Sequence, residues 1–150
     1  MIKKLFEKFV PDPEAEARER EQRIRIAACV ILLEVAKSDY EFSSIEKHVV
    51  EMILQEEFGV PEEAVKELME IAERERRESV DLYEFTKLIK HSLTREERNR
   101  LIEFAWEIVY ADDKLDKFED HLVHRLTTLL GLDHHELIEA KMRVLYSGEN

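Results

Sequence analysis

The hydrophobic positions of this chain recur three and four residues apart, which is the spacing of amphipathic helices. Ile45, Val49, Met52 and Ile53, for example, share one helical face. Prolines, glycines and capping residues divide this pattern into segments. Helices are predicted over residues 14–36, 44–58, 61–76, 80–91, 94–111, 117–131 and 134–146. The pattern therefore predicts an all-α protein, a single compact domain of about seven helices.

A short amphipathic leader precedes the first long helix. Its apolar residues recur at helical spacing between lysines, and two prolines end the pattern: Ile2, Leu5, Phe6, Phe9, Pro11 and Pro13. We assign residues 1–13 to the leader and residues 14–150 to the helical domain. Because so short a helix binds a membrane only marginally by itself, docking on the body of the protein is favoured over a position on a membrane surface.

Composition agrees with the helical class and narrows the function. Glycine and proline occur three times each, too rarely for the tight turns of a β-sandwich, a barrel or a Rossmann sheet. Acidic residues number 35 against 23 basic ones, a formal charge of -12. This balance disfavours DNA and RNA, whose binding depends on basic side chains, and favours divalent cations or basic partner surfaces.

Two further features indicate a cytoplasmic protein that does not span a membrane. The longest apolar run, Ile26 to Val35, is interrupted by Glu34 and is far shorter than the roughly 20 residues that cross a bilayer. The single cysteine, Cys29, cannot form an internal disulfide, and no segment resembles a cleavable signal peptide. Cys29 lies in an apolar stretch without a basic neighbour, so its thiol is predicted to be buried and unreactive.

The two halves of the chain repeat. A shift of 73 residues aligns apolar positions and also polar ones, Asp39 with Asp112 and His48 with His121 among them. After a deletion of one residue, Gly59 aligns with Gly131, so the repeat includes a helix end. We place the repeat halves at about 24–60 and 97–132, and expect two helix-turn-helix units around a pseudo-twofold axis.

Each repeat has an acidic turn between its two helices. An Asp is followed seven positions later by a Glu, as Asp39 by Glu46 in the first repeat. Ser43 with Glu46, and Asp116 with Glu119, fit the capping box, in which these side chains satisfy free amides at a helix start. On that interpretation the acids stabilise helix ends and do nothing more.

Capping leaves Asp39 and Asp112 unexplained. Both are predicted at the C-terminal end of a helix, where a negative charge is unfavourable by several tenths of a kcal/mol. Carboxylates from the end of one helix and the start of the next could converge on Ca²⁺ or Mg²⁺, which prefer oxygen ligands. The second turn is the richer one: Asp112, Asp113, Asp116, Glu119 and Asp120. The turn is not an EF-hand, since the Asp to Glu interval is seven positions and the central Gly is missing. A merely solvated acidic cluster is the alternative.

The same residues carry a resemblance to a known family. The segments 35–46 and 109–119 resemble the duplicated Ala-Asp-Gly-x-Ile/Val-x-x-x-Glu signature of the TerB-like (tellurite resistance protein B) family. The resemblance covers about Ile26 to Tyr146, and the second copy is the closer one. The chain departs from the signature at Tyr40 and Asp113, where the family usually has Gly.

The resemblance implies an internally duplicated, bacterial, cytoplasmic helical domain that binds a divalent metal. Calcium is the first candidate, with magnesium and manganese as alternatives. The candidate ligands are Asp39, Glu46, Asp112 and Glu119, with Asp113 and Asp116 as further candidates in the second turn. Family members are associated with tellurite resistance and wider stress and phage responses, and are thought to work with membrane-embedded partners. A protein partner is therefore expected, with a peripheral position at the inner membrane as the alternative to a free cytoplasmic one.

Other chemistries are less well supported by the residues. The histidines at positions 121, 124, 134 and 135 could suggest zinc, but no cysteine lies near them. No phosphate loop, nucleophile elbow or zincin motif is present, and no catalytic residue is predicted. We expect a non-enzymatic, metal-binding module that acts through a partner. The alternatives are a metal-independent adaptor for a membrane-associated complex and a metal-dependent hydrolase.

Overall fold

The computed structural model describes residues 12–37, 43–111 and 117–147, with only the backbone for residues 117–120. These residues form seven helices and no strand. The helices are α1 Pro13–Ala36, α2 Ser44–Glu56, α3 Glu62–Glu78, α4 Tyr83–Ser92, α5 Arg95–Tyr110, α6 Lys117–Leu129 and α7 His134–Tyr146. The all-α prediction is confirmed.

Two helix starts are fixed by reciprocal capping boxes. At α5, the Glu97 amide donates to the Thr94 hydroxyl (3.1 Å) and the Thr94 amide donates to the Glu97 carboxylate (2.9 Å). The same pair of bonds joins Asp133 and Glu136 at α7, at 2.9 and 3.1 Å. Each box satisfies two amides that have no partner inside the helix. Both helices therefore begin within one residue of their predicted starts.

The start of α4 differs from the prediction, which placed it directly after Ser79. The backbone of Ser79 is extended and ends α3, and Val80 is fully exposed. The carboxylate of Asp81 accepts a hydrogen bond from the Tyr83 amide at 2.8 Å. The free amide at the helix start is therefore satisfied by a residue two positions after Ser79. The helix therefore begins at Tyr83.

Two nearly apolar helix segments form the centre of the bundle. Residues 27–36 of α1 are buried except for Glu34, and residues 101–109 of α5 are buried except for Glu107. The first half of α1 is charged and mostly exposed. None of the helices in the described ranges is both long and apolar enough to cross a membrane.

The helices of the two halves make contacts in the same order. In the first half α1 packs on α2 and α3, and in the second half α5 packs on α6 and α7. Between the halves, α1 contacts α5 and α6, and α5 contacts α2. Helix α4 has no counterpart in this scheme and packs on α1 and α6. These contacts extend the duplicated arrangement to a third helix in each half.

The repeat also holds at the ends of α2 and α6. Gly59 and Gly131 have φ angles of 64° and 74°, a left-handed conformation that suits glycine after a helix. In the first half the Val60 amide donates to the Leu54 carbonyl, six residues earlier, at 3.0 Å. In the second half the Leu132 amide donates to the Thr127 carbonyl, five residues earlier, at the same distance. The shorter span in the second half accommodates the deleted residue.

Candidate metal centre

The predicted metal ligands lie mostly outside the described part of the chain. Glu46 is the one whose side chain is described. For Glu119, in the first turn of α6, only the backbone is described. The remaining candidates fall outside the described residues: Asp39, Asp112, Asp113 and Asp116. The convergence of these carboxylates therefore stays a prediction.

The carboxylate of Glu46 is buried beside the first acidic turn. Ser43 caps α2, because its hydroxyl accepts the Glu46 amide at 3.1 Å. The same hydroxyl donates to Oε1 of Glu46 at 3.0 Å, and Glu46 is only 1% exposed. A buried carboxylate requires hydrogen bonds or opposite charge around it, and the start of a helix contributes a partial positive charge. Ser43 thus caps the helix and also fixes the orientation of a buried acid.

The described residues that flank the two turns lie at the same end of the bundle. Near the C-terminal end of α2, Glu57 pairs with Arg100, in the first half of α5, at 2.7 Å. At the other end, Ile45 and Ala111 line one groove. Helices α2 and α5 are therefore antiparallel. Ile45 closely follows the first turn and Ala111 directly precedes the second, so these two flanks are neighbours.

A duplicated arginine holds the second helix of each repeat in place. Arg25 Nε donates to the backbone carbonyl of Phe58 at 3.1 Å, and Arg98 Nη1 donates to that of Leu130 at 2.5 Å. Carbonyls at a helix C-terminus have no partner inside the helix, and a basic side chain is favourable there. The two arginines are 73 positions apart, so the same shift that aligns the acidic turns also aligns this pair. Sequence reasoning missed it because the pair contains no candidate metal ligand.

An ion network ties the end of α1 to α3. Glu73 pairs with Lys37 at 2.9 Å and with Arg76 at 2.8 Å, and Arg76 reaches Glu34 at 2.8 Å. The hydrogen bond from Arg76, helped by the one from Lys37, lowers the pKa of Glu73 to about 2. Lys37 ends the first described range, directly before the first turn. The network therefore fixes the point from which that turn departs.

A groove borders this network. It has a volume of about 740 Å³ and lies between α2, α3 and the end of α1. Its apolar floor includes Leu33, Val65 and Met69, and its rim carries as many acidic as basic side chains. Lys37 and Lys47, on either side of the first turn, both line it. Residues on both sides of the first turn therefore contribute to this groove.

The histidines provide an incomplete site. The rings of His124 and His134 lie 5.8 Å apart between centroids. Within the described ranges, no group of three or more His, Cys, Asp or Glu side chains could hold a metal ion. Two histidines fall short of the ligand set of zinc. A cation site would therefore need the carboxylates of the acidic turns.

Two residues with possible chemistry belong to the core. Cys29 is fully buried, and its burial, with a smaller contribution from the charge of Glu73, raises the pKa of its thiol to about 12. Trp106 is also fully buried, and its Nε1 donates to the carbonyl of Leu137 at 3.2 Å. The burial of Cys29 agrees with the prediction of an unreactive thiol, and Trp106 packs as a core residue.

Two helices with buried segments, each followed in the chain by an acidic segment outside the described residues and then by a second helix, define a duplicated all-α module. The chain belongs to the TerB family: the family model described as Tellurite resistance protein TerB matches residues 25–142. The match runs from Arg25 in α1 to Met142 in α7, so the family assignment predicted from the two turns is confirmed. No curated protein and no solved structure matches the chain.

Proposed function

We propose that this chain is a non-enzymatic helical module that binds a divalent cation, calcium first, at its acidic turns. In a bacterial stress response of the tellurite-resistance type, cation occupancy would control the binding of a protein partner. The family assignment supports the general role. The ligands would be the carboxylates of the two turns, with Glu46 as the described member.

The observation that carries this proposal is the environment of Glu46. A carboxylate that ligates a metal is commonly held by a further hydrogen bond, which orients it and tunes its affinity. Ser43 supplies such a bond at 3.0 Å, and burial keeps the carboxylate out of bulk water. Oxygen donors of this kind suit Ca²⁺ and Mg²⁺. Glu46 is thus a preoriented hard ligand next to a turn with further acids.

Cation binding would influence partner binding through the residues that flank the first turn. Lys37, directly before the turn, is bound to Glu73 on α3, and Glu46, just after it, opens α2. Movement of either side would change the spacing of α2 and α3, which both line the groove of about 740 Å³. Partner affinity and cation affinity would then be linked reciprocally.

Thermal melts with and without cation test this proposal. Calcium at about 100 times its dissociation constant stabilises the folded state by about 2.7 kcal/mol, a rise in Tm of about 5–10 °C at this chain length. Glu46→Gln should remove most of that rise. Ser43→Ala should weaken calcium binding about 10- to 100-fold, because the carboxylate loses its orienting bond.

Thr94→Ala is the matched control. It also removes a hydroxyl that caps a helix, but at the start of α5, remote from the acidic turns. Without calcium, each capping variant should lower the free energy of unfolding by about 1 kcal/mol. Its Tm should fall accordingly. Only Ser43→Ala should also reduce the calcium-dependent rise. Equal rises in wild type, Glu46→Gln and Ser43→Ala would contradict the proposal.

A metal-independent adaptor for a membrane-associated complex is the second candidate. It is favoured by the exposed apolar side chains of Ile45 and Met52 on α2, which suit a partner surface whether or not a cation is bound. Deletion of residues 1–10 tests the contribution of the leader. The adaptor role predicts reduced membrane co-sedimentation in cell extracts, independent of calcium, and unchanged co-sedimentation would count against it.

A further inference from the structure

The duplicated arrangement has two equivalent positions for a helix, and helix α4 fills one of them. Helix α4 packs on α1 and α6. The repeat relates α1 to α5 and α6 to α2, so the equivalent position in the other half lies between α5 and α2. That position is a groove of about 330 Å³ lined by α2 and α5. Among the described residues, no helix fills it.

The segments that precede α5 and α1 explain the difference. Helix α4 ends at Ser92 and α5 begins at Arg95, so a short connection turns the chain back onto the bundle. The repeat aligns residues 86–94 with residues 13–21. Residues 13–21 do not turn back, because they continue α1 as a charged and mostly exposed helix. The segment that covers α1 and α6 in one half is thus directed into solvent in the other.

The ends of α2 and α6 differ in the same way. Gly59 and Gly131 have the same left-handed conformation after these two helices. A Cβ on Gly131 would lie 2.9 Å from Cε of Lys90, near the C-terminal end of α4. Within the described ranges, nothing lies within 4 Å of a Cβ on Gly59. A side chain of α4 therefore covers the end of α6, whereas the end of α2 is open.

The open groove presents an apolar stripe. Its α2 wall carries Ile45, Val49 and Met52 at helical spacing, with Phe104 of α5 opposite. Ile45 is 53% exposed and Met52 is 41% exposed. Single exposed apolar residues are ordinary, but a stripe along one groove is typical of a site for an amphipathic helix.

The groove also contains a carboxylate that lacks the partner of its counterpart. Glu34 pairs with Arg76 at 2.8 Å, whereas Glu107, its equivalent in the repeat, lines the groove and forms no ion pair with the described residues. Arg100, the basic residue of the groove, is bound to two other carboxylates. Burial raises the pKa of Glu107 against the opposing effect of Arg100. A cationic side chain in the groove would supply the missing partner.

We propose that the groove between α2 and α5 binds an amphipathic helix of a partner protein, which packs there as α4 packs in the other half. The apolar face of this helix fills the stripe, and a lysine or arginine pairs with Glu107. Helix α4 itself shows the composition required. It buries Phe85 and Ile89, four positions apart, and carries two lysines against one glutamate. The proposal does not depend on cation binding.

A peptide copy of α4, residues 81–93, is the probe that tests the groove. Fluorescently labelled peptide should bind the full chain saturably in fluorescence anisotropy, with chelator present to exclude cation effects. Met52→Glu should weaken binding by at least about tenfold, because it places a carboxylate in the apolar wall. Glu107→Gln should weaken it by about two- to fivefold, the effect of one partly exposed ion pair.

Met142→Glu is the matched control for Met52→Glu. Met142 is 44% exposed, against 41% for Met52, but it lies on α7 and does not line this groove. It should leave peptide binding unchanged, and the peptide with Phe85→Glu should not bind. A peptide that displaced α4 from α1 and α6 would be insensitive to Met52→Glu. Circular dichroism melts verify that each variant is folded.

Four results would overturn the proposal. They are no saturable binding to any chain, equal affinities for wild type and Met52→Glu, equal effects of Met52→Glu and Met142→Glu, and binding that requires deletion of residues 1–10. The last result would assign the groove to the leader instead of a partner protein. Light scattering of wild type would then separate the two sources, because a monomer indicates the leader of the same chain and a dimer that of a second copy.

Discussion

Replacement of Glu73 by glutamine should remove the charge that holds the end of α1 to α3. The pKa of Glu73 is lowered from 4.5 to about 2 by its hydrogen bonds with Arg76 and Lys37. A shift of that size corresponds to about 3 kcal/mol if it is fully retained. Water screens these charges, and Arg76 keeps its bond to Glu34, so we expect a net loss of about 1–2 kcal/mol. The Tm should fall by about 3–6 °C.

The loss should depend on pH in one direction. Because the pKa of Glu73 is lower in the folded state than in the unfolded state, its contribution is present above about pH 4.5 and is lost as the pH falls towards 2. Urea unfolding followed by circular dichroism at several pH values measures this. The free-energy gap between wild type and Glu73→Gln should be constant near neutral pH and close between pH 4.5 and 2.

Glu70→Gln controls for the loss of one acidic charge from α3. Glu70 lines the same groove but is exposed, so its replacement should change the free energy of unfolding by less than about 0.5 kcal/mol. Equal effects of the two replacements at pH 7 would refute the role assigned to Glu73. A gap that persists unchanged to low pH would refute the electrostatic explanation.

Two further predictions use the repeat and the core. Gly59→Ala and Gly131→Ala both place a side chain at positive φ, at a cost of about 1–2 kcal/mol. The second should cost more in urea unfolding, because its Cβ would lie 3.1 Å from Arg98 Nη1, which is held by the Leu130 carbonyl, whereas nothing lies within 4 Å at Gly59. The Cβ would also lie 2.9 Å from Lys90 Cε, but that end of a flexible side chain can move aside. Equal costs would contradict a fixed position of the Arg98 guanidinium. Cys29 should react with a thiol reagent only as fast as the protein unfolds, because the buried thiol has a pKa of about 12. Rapid reaction of the folded protein would show an accessible thiol.

The fold was largely predictable because its determinants are local. Helical spacing of apolar residues defines the elements, and the boxes at Thr94 and Asp133 define two helix starts within four residues of sequence. The start of α4 was not predicted because Ser79 has the residue type of a helix cap, but its extended backbone ends the preceding helix instead. Residue type alone does not distinguish these two uses.

The candidate site was predictable to a smaller extent. The 73-residue shift identified Glu46, and its pairing with Ser43 follows from the local sequence at the helix start. Its burial arises from the packing of α2 against the body. The contacts of Glu73 with Lys37 and of Arg76 with Glu34 join residues 36 and 42 positions apart. No periodicity in the sequence marks such pairs. The ligand set of the turns, from Asp39 to Glu119, stays a prediction.

Calorimetric titration with calcium, magnesium and manganese tests the central claim most directly. Wild type should release or absorb heat that saturates with calcium, and Asp112→Asn combined with Glu119→Gln should lose most of it, because carboxylate oxygens are the expected ligands. Glu70→Gln, which removes an acid outside the turns, should bind as wild type does. Wild-type protein that shows neither heat nor a shift in Tm at millimolar cation would contradict the account.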